Sequence, residues 1–215
     1  MNNIKIILVD DHKILRDGLR SIIEEKSHMS VISEASNGRD AIKLCSKLIP
    51  DVVIIDVSMP DLNGIEATKQ ILKRNPDIKV IALSMYSSKQ FIQEMFTVGA
   101  YGYLLKDGDS DELILAITSV MQNKKYLSNS INQEYLTTLK RGDNIVANDL
   151  SDREKEVLQL IAEGKSSKEI GTILFLSSKT VDVHRSNIMK KVDLYTVSEL
   201  TKFAIKQGLT SLDFE

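Results

Sequence analysis

The sequence predicts an α/β domain, a five-stranded parallel sheet with helices on both faces, followed by an all-α domain of four helices. Three observations predict it. Over roughly the first 125 residues, short apolar runs alternate with stretches of helical spacing. From Ser151 onward only the helical spacing remains. Acidic residues, a serine and a lysine stand at the ends of the apolar runs, and a parallel sheet would gather these ends at one edge.

The apolar runs are Ile4–Val9, Val31–Ala35, Val52–Ile55, Val80–Leu83 and Gly102–Leu105. The first, third and fourth are nearly continuous in Ile, Val and Leu, which marks strands buried on both faces. Helical stripes lie between and after them. Ile14, Leu15, Leu19, Ile22 and Ile23 form the first, and Ala41, Ile42, Leu44, Cys45 and Leu48 the second. Ile65, Thr68, Ile71 and Leu72 follow, then Phe91, Met95 and Phe96, then Leu113, Ala116, Ile117 and Val120. Asn37-Gly38, Pro50, Pro60 and Asn75-Pro76 punctuate the elements where turns are needed. Five such β/α repeats imply a doubly wound sheet with right-handed crossovers. In flavodoxin-like order the first and third strands are neighbours.

A weaker helix is expected from about Ser130 to Lys140, and Arg141-Gly142-Asp143-Asn144 with Ala147-Asn148-Asp149 reads as a linker. The organisation is therefore residues 1–125, a helix and linker over 126–149, and a second domain over 150–215. Its first helix covers roughly Asp152–Glu163, opened by Ser151 with Glu154 three residues later, a capping-box pattern. Gly164 stops it. Ser167–Leu174, Ser178–Val192 and Val197–Gln207 complete the set, closed by Gly208.

Composition is that of an ordinary globular protein, 42% hydrophobic and 27% charged. The longest apolar runs fall far short of the roughly 18 residues needed to span a bilayer. Met1–Lys5 leads into the first run without a signal-peptide pattern. The one cysteine, Cys45, has no internal partner, which fits a cytoplasmic protein, and its helical context makes it a core residue. Net charge is −2, and Ser151–Glu215 holds 10 basic against 10 acidic residues, so any nucleic-acid surface must come from placement.

The chief chemical signal is positional. Asp10 and Asp11 follow the first strand, Asp56 ends the third, Ser84 ends the fourth and Lys106 follows the fifth. Three converging carboxylates repel one another and call for a cation. Mg²⁺ favours oxygen ligands and accompanies phosphate chemistry.

Asp10-Asp11, the segment Val52-Val53-Ile54-Ile55-Asp56-Val57-Ser58-Met59-Pro60, Ser84, and Tyr103-Leu104-Leu105-Lys106 resemble the receiver domain of two-component response regulators. The resemblance covers residues 1–125. It implies that Asp56 takes a phosphoryl group from a sensor histidine kinase. It also implies that Asp11, Asp56 and the Ser58 carbonyl ligate Mg²⁺, with Asp10 acting through water. Lys106 would pair with the phosphoryl oxygens and Ser84 would bond one of them. Tyr103 is open to two readings, a core aromatic or the switch aromatic that turns inward as Ser84 shifts. Met85 stands where many receivers carry a small residue controlling donor access, and Ser58 and Tyr86 stand where such proteins tune dephosphorylation.

Leu150-Ser151-Asp152-Arg153-Glu154-Lys155-Glu156-Val157-Leu158 resembles the opening of LuxR-type helix-turn-helix domains. The likeness continues through Ala162–Ile170, Leu176–Val181 and His184 to Lys206-Gln207-Gly208-Leu209. The whole chain resembles the NarL/FixJ subfamily of transcription regulators. In the third helix of this domain, Val181, Ile188 and Val192 would face the core. Lys179, Asp182, Arg185, Ser186, Lys190 and Lys191 would face outward, four basic residues against one acid over Ser177–Lys191. The resemblance places Asp182, Val183 and Ser186 at bases, with Lys179, Arg185 and Lys190 on the backbone beside Thr180. His184 reads as a packing or phosphate contact. Val197 stands where relatives often have Arg, which implies a missing backbone or capping contact. Leu200, Phe203, Ala204 and Gln207 form a stripe suited to core packing or to a dimer contact.

The resemblance implies a regulator whose only catalysis is its own phosphoryl transfer and dephosphorylation. Its partners would be a sensor histidine kinase, double-stranded promoter DNA and, when phosphorylated, a second copy, with no membrane. Three alternatives stay open. A Mg²⁺-dependent phosphatase could use clustered aspartates, although Asp10-Asp11-His12 lacks the Asp-x-Asp of the haloacid-dehalogenase type. The second domain could dock protein rather than DNA. Regulation could also be independent of phosphorylation.

Overall fold

In the computed structural model, the described residues are 3–85, 87, 89–131 and 150–210. The expected helix from Ser130 to Lys140 and the linker lie almost wholly outside them, as does Tyr86. The chain divides into two compact units, the sheet with its five helices and the C-terminal helices.

The first unit runs β1 Ile4–Val9, α1 Lys13–Glu24, β2 Met29–Ala35, α2 Gly38–Leu48, β3 Val52–Asp56, α3 Gly64–Arg74, β4 Lys79–Ser84, α4 Lys89–Thr97, β5 Gly102–Leu105, α5 Ser110–Met121 and β6 Tyr126–Leu127. Sheet order is β2-β1-β3-β4-β5-β6, with every pair parallel. The expected five strands are thus joined by a sixth. β6 is only two residues long and is held by Tyr126 N–H to Tyr101 O at 2.8 Å and Ser128 N–H to Tyr103 O at 2.9 Å. Two residues carry no periodicity, so no pattern announces them.

β1, β3 and β4 lie inside the sheet; β3 and β4 are buried along nearly their whole length, and β1 from Ile6 to Val9. This is the reason for their unbroken Ile/Val/Leu runs. One core layer packs Leu19 and Ile23 of α1 with Leu113, Ala116, Ile117 and Val120 of α5 against the sheet. Ile14 departs from its expected stripe: it sits in the first turn of α1 and is 89% exposed. Cys45 is a core residue, and burial pushes its thiol up to about 12.

The second unit holds α6 Asp152–Ala162, α7 Ser167–Leu174, α8 Ser178–Val192 and α9 Val197–Lys206. Capping boxes open α6 at Ser151/Glu154, α7 at Ser166/Glu169 and α9 at Thr196/Glu199. The helix that begins at Val197 is thus capped by Thr196, one residue earlier. Between α7 and α8 the turn is tight. Phe175 takes a left-handed conformation (φ 56°), and Leu176 N–H donates to Gly171 O at 2.8 Å. Val157, Leu158, Leu160, Ile170, Val181, Ile188, Leu200 and Ala204 form its core. Leu200, Ala204 and the partly buried Phe203 of the α9 stripe are thereby committed to packing.

Candidate functional site

The carboxyl ends of β1, β3, β4 and β5 bring the expected acidic site together. Asp10 leaves β1, Asp56 closes β3, and the Lys106 chain bends back over the edge from β5. Lys106 Nζ lies 2.7 Å from Asp56 Oδ2 and 2.7 Å from Asp10 Oδ2. All three side chains are almost fully buried. Ser58 approaches through its backbone, its N–H donating to Asp56 Oδ1 at 3.1 Å. Lys106 N–H donates to Ser84 O at 2.8 Å, which fixes the lysine's backbone to the end of β4.

Burial disfavours a charge on each member. For Asp56 burial prevails, opposed by Lys106 and assisted by Asp10, and its carboxyl is pushed up to about 6. For Lys106 burial pulls downward, but Asp56 and Asp10 outweigh it and hold the ammonium above its ordinary value.

The donor set fits a hard divalent cation. Carboxylate oxygens of Asp10, Asp11 and Asp56, with a nitrogen of His12, fall within 4.8 Å of one another. Asp11 Oδ1 is shielded from solvent and accepts no hydrogen bond. The Nδ1 of His12 lies 2.9 Å from it and 3.0 Å from Asp10 Oδ1. One lysine among three carboxylates leaves negative charge that a divalent ion would neutralise.

Ser84 and Tyr103 form a second pair on adjacent strands. Tyr103 is fully buried, so its ring points into the core, and its side chain is hydrogen-bonded to that of Ser84. Burial pushes its phenol up to about 12, with the Ser84 bond opposing and the Asp56 charge adding. A buried tyrosine hydroxyl needs a partner, so movement of Ser84 must be felt at Tyr103.

Three residues of this site carry no mark that the motifs revealed. His12 stands between the two aspartates. Arg16 donates from Nη1 to the Asp10 carbonyl at 2.5 Å. Gly64 approaches the backbone of Asp56 so closely that a Cβ would lie 2.0 Å from its carbonyl oxygen.

In the second unit, Lys179, Thr180, Asp182, Val183, Ser186 and Lys190 of α8 are exposed, and Arg185 and His184 are half-buried. The outward face is less basic than its composition. Lys191 Nζ pairs with Glu154 Oε2 at 2.7 Å, on the capping carboxylate of α6. Asp182 Oδ1 accepts from Ser167 Oγ at 2.7 Å, tying α8 to the start of α7. The Thr180 hydroxyl lies 2.8 Å from Ser177 Oγ at the α8 cap. Lys179, Arg185 and Lys190 remain as the outward cations. His184 joins no group of candidate metal ligands among the described residues.

Comparison with known proteins agrees with both units. Residues 6–118 match the response regulator receiver domain, and residues 148–204 match the bacterial regulatory proteins of the luxR family. The chain belongs to the NarL/FixJ subfamily of response regulators. It is 36% identical to the oxygen regulatory protein NreC of Staphylococcus haemolyticus over 219 residues, covering 98% of this chain and 100% of that one. It is 38% identical to the transcriptional regulatory protein LiaR of Bacillus subtilis over 204 residues, covering 94% and 95%. Among solved structures it resembles RcsB of Salmonella enterica serovar Typhimurium bound to promoter P1flhDC in the presence of the phosphomimetic BeF3- (TM-score 0.60, 27% identity, 97% of this chain and 98% of that chain). This response regulator is accordingly a transcription regulator with a LuxR-type DNA-binding domain, not a metabolic enzyme. No helix among its described residues is long and apolar enough to cross a membrane.

Proposed function

We propose that Asp56 is the phosphoacceptor of this response regulator, and that its phosphorylation by a sensor histidine kinase shifts dimerisation and promoter binding. The observation that carries the reading is Lys106 Nζ at 2.7 Å from both Asp56 and Asp10, beside an Asp11 oxygen without a hydrogen-bond partner. Asp10, Asp11, Asp56 and the Ser58 carbonyl would hold Mg²⁺, which when bound neutralises charge on the transferred group. An Asp56 oxygen attacks phosphorus, a P–O bond forms, the P–N bond of phosphohistidine breaks, and its electron pair returns to the imidazole. Carboxylates are weak nucleophiles, so positioning and charge neutralisation dominate. Lys106 would then leave its carboxylates for the new phosphoryl oxygens. Ser84 would turn to bond one of them, and Tyr103, bonded to Ser84, transmits the change along β5.

For the output, Lys179, Arg185 and Lys190 would neutralise phosphates, while Val183 and Ser186 face the bases. Asp182 is engaged with Ser167, which favours a structural tie for it over base readout. The DNA-bound RcsB structure supports DNA as the partner, and two half-sites favour a dimer.

The test is intact mass after incubation with Mg²⁺ and acetyl phosphate. Wild type should gain one phosphoryl group, about 80 Da, and Asp56→Asn none. Equal gain in both proteins removes Asp56 from the role. Retention of phosphorylation-like dimerisation and DNA affinity by Asp56→Asn would refute the coupling.

A further inference from the structure

The turn bearing Asp10 and Asp11 is held from behind by a charged pair that reaches the backbone of Asp10 rather than its carboxylate. Asp10 N–H donates to Ala35 O at 3.1 Å, as a last rung of the β1–β2 ladder. Its side chain accepts the His12 N–H at 2.8 Å. Its carbonyl, which sets the tilt of the Asp10–Asp11 peptide, accepts from Arg16 Nη1 at 2.5 Å. Arg16 Nε reaches Glu34 Oε2 on β2 at 3.1 Å, so the planar fork spans two anchors at once.

Glu34 is itself fixed. Its other oxygen accepts from Arg20 Nε at 2.7 Å, and Arg20 Nη2 lies 2.6 Å away. Arg20 also binds Glu24 at 3.0 Å. Burial raises the Glu34 pKa, but its bonds to Arg20 and Arg16 outweigh that and hold the carboxyl below its ordinary value. The N-cap of α1, His12, makes no capping hydrogen bond from its side chain, and the first turn has no acid. The Arg16 clamp fills that place. Because Glu34 and Glu24 together balance Arg16 and Arg20, the clamp orients the turn without supplying the cation that the carboxylates need.

We infer that Arg16, held by Glu34, is a positioning residue for the divalent-cation site: it fixes the Asp10–Asp11 peptide and thereby sets cation affinity without touching the ion. The inference rests on the proposed Mg²⁺ site. Partners that orient ligands from behind typically contribute about 10-fold to 100-fold in metal affinity.

The experiment is calorimetric titration of the full-length protein with Mg²⁺, comparing wild type, Arg16→Gln, Arg16→Lys and Glu34→Gln. Lysine keeps the charge but cannot span both anchors. Glu34→Gln keeps Arg16 and loosens its hold. Arg16→Gln and Arg16→Lys should raise the Mg²⁺ Kd about tenfold, and Glu34→Gln should raise it by a smaller factor. At saturating Mg²⁺ the acetyl-phosphate labelling rate should return to near wild type, and metal-free melting temperatures should stay close together. Unchanged Kd in folded variants overturns the inference, as does a labelling rate that saturating Mg²⁺ does not restore. Should Arg16→Gln fail to fold, Arg16→Lys and Glu34→Gln decide it. A wild type that takes up no Mg²⁺ overturns the underlying site and this inference with it; wild-type binding with equally tight variants overturns only the inference.

Discussion

Gly64 lies against the backbone of Asp56 with no room for a side chain: a Cβ there would stand 2.0 Å from the Asp56 carbonyl oxygen and 3.0 Å from Val57 Cα. The same glycine donates its N–H to Val57 O at 2.9 Å, so the start of α3 is pinned to the end of β3. Gly64→Ala must move one or the other. Overpacking of this kind costs about 1–3 kcal/mol, and displacement of Asp56 should slow acetyl-phosphate labelling by about 10-fold to 100-fold. Gly18 in α1 is the control, since a Cβ there meets nothing within 4 Å. Gly18→Ala should stabilise by about 0.4–1 kcal/mol and leave labelling unchanged. Urea unfolding and intact mass read both effects.

The contrast between Gly64 and Asp56 shows what was legible in the sequence. Side chains whose chemistry acts directly, such as Asp10, Asp56 and Lys106, announced themselves by standing at strand ends. The C-terminal helices were legible to within a residue because Ser151, Ser166, Ser177 and Thr196 each begin one by capping. Gly64 carries no signal in the sequence, because the approach that requires it involves a backbone atom eight positions earlier. Arg16 binds a carbonyl, an acceptor that every residue carries. Lys191 is indistinguishable by type from Lys190, and its partner Glu154 lies 37 positions away.

The raised pKa of Asp56 has a thermodynamic consequence with a definite sign. The folded protein binds this proton more tightly than the unfolded chain does. The associated stability is therefore fully present at low pH and is lost as pH rises from 3.8 to about 6. In metal-free buffer, Asp56→Asn should be more stable than wild type at pH 7.5, and the difference should vanish near pH 4. Thermal melts in chelator test this. Carboxyl titration by NMR should place Asp56 near 6, higher in Lys106→Met and lower in Asp10→Asn, since Lys106 lowers and Asp10 raises its pKa. An ordinary carboxylate value in wild type would refute both.

Glu154 has the opposite sign. Burial raises its pKa, but the bonds to Lys191 and Ser151 prevail and hold it below the ordinary glutamate value. Its contribution is present above that ordinary value and is lost as pH falls through the lower folded value. Lys191→Met leaves Glu154 with Ser151 N–H at 2.7 Å and Ser151 Oγ at 2.8 Å, so the cap survives and the ion pair does not. The variant should lose about 0.5–1 kcal/mol at pH 7, and the loss should shrink as pH falls below the ordinary glutamate value of 4.5. Glu154→Ala removes the cap as well and should cost about 1–2 kcal/mol. Urea unfolding at the two pH values separates these outcomes.

Adjacent lysines on α8 should behave differently on DNA. Lys190 is exposed with no ion pair to an acid among the described residues, whereas Lys191 is paired with Glu154. Each phosphate contact contributes about 0.9 to the slope of log affinity against log salt. Lys190→Ala should weaken binding to any duplex and lower that slope by about 1, as should Lys179→Ala. Lys191→Ala should leave the slope unchanged while reducing stability. Fluorescence anisotropy across a salt series, with protein and labelled duplex held fixed, reads slope independently of sequence preference. Equal slopes for Lys190→Ala and wild type would remove α8 from the phosphate backbone. A slope lowered by Lys191→Ala would mean that the Glu154 pair opens on DNA and that the cap of α6 is then held by Ser151 alone.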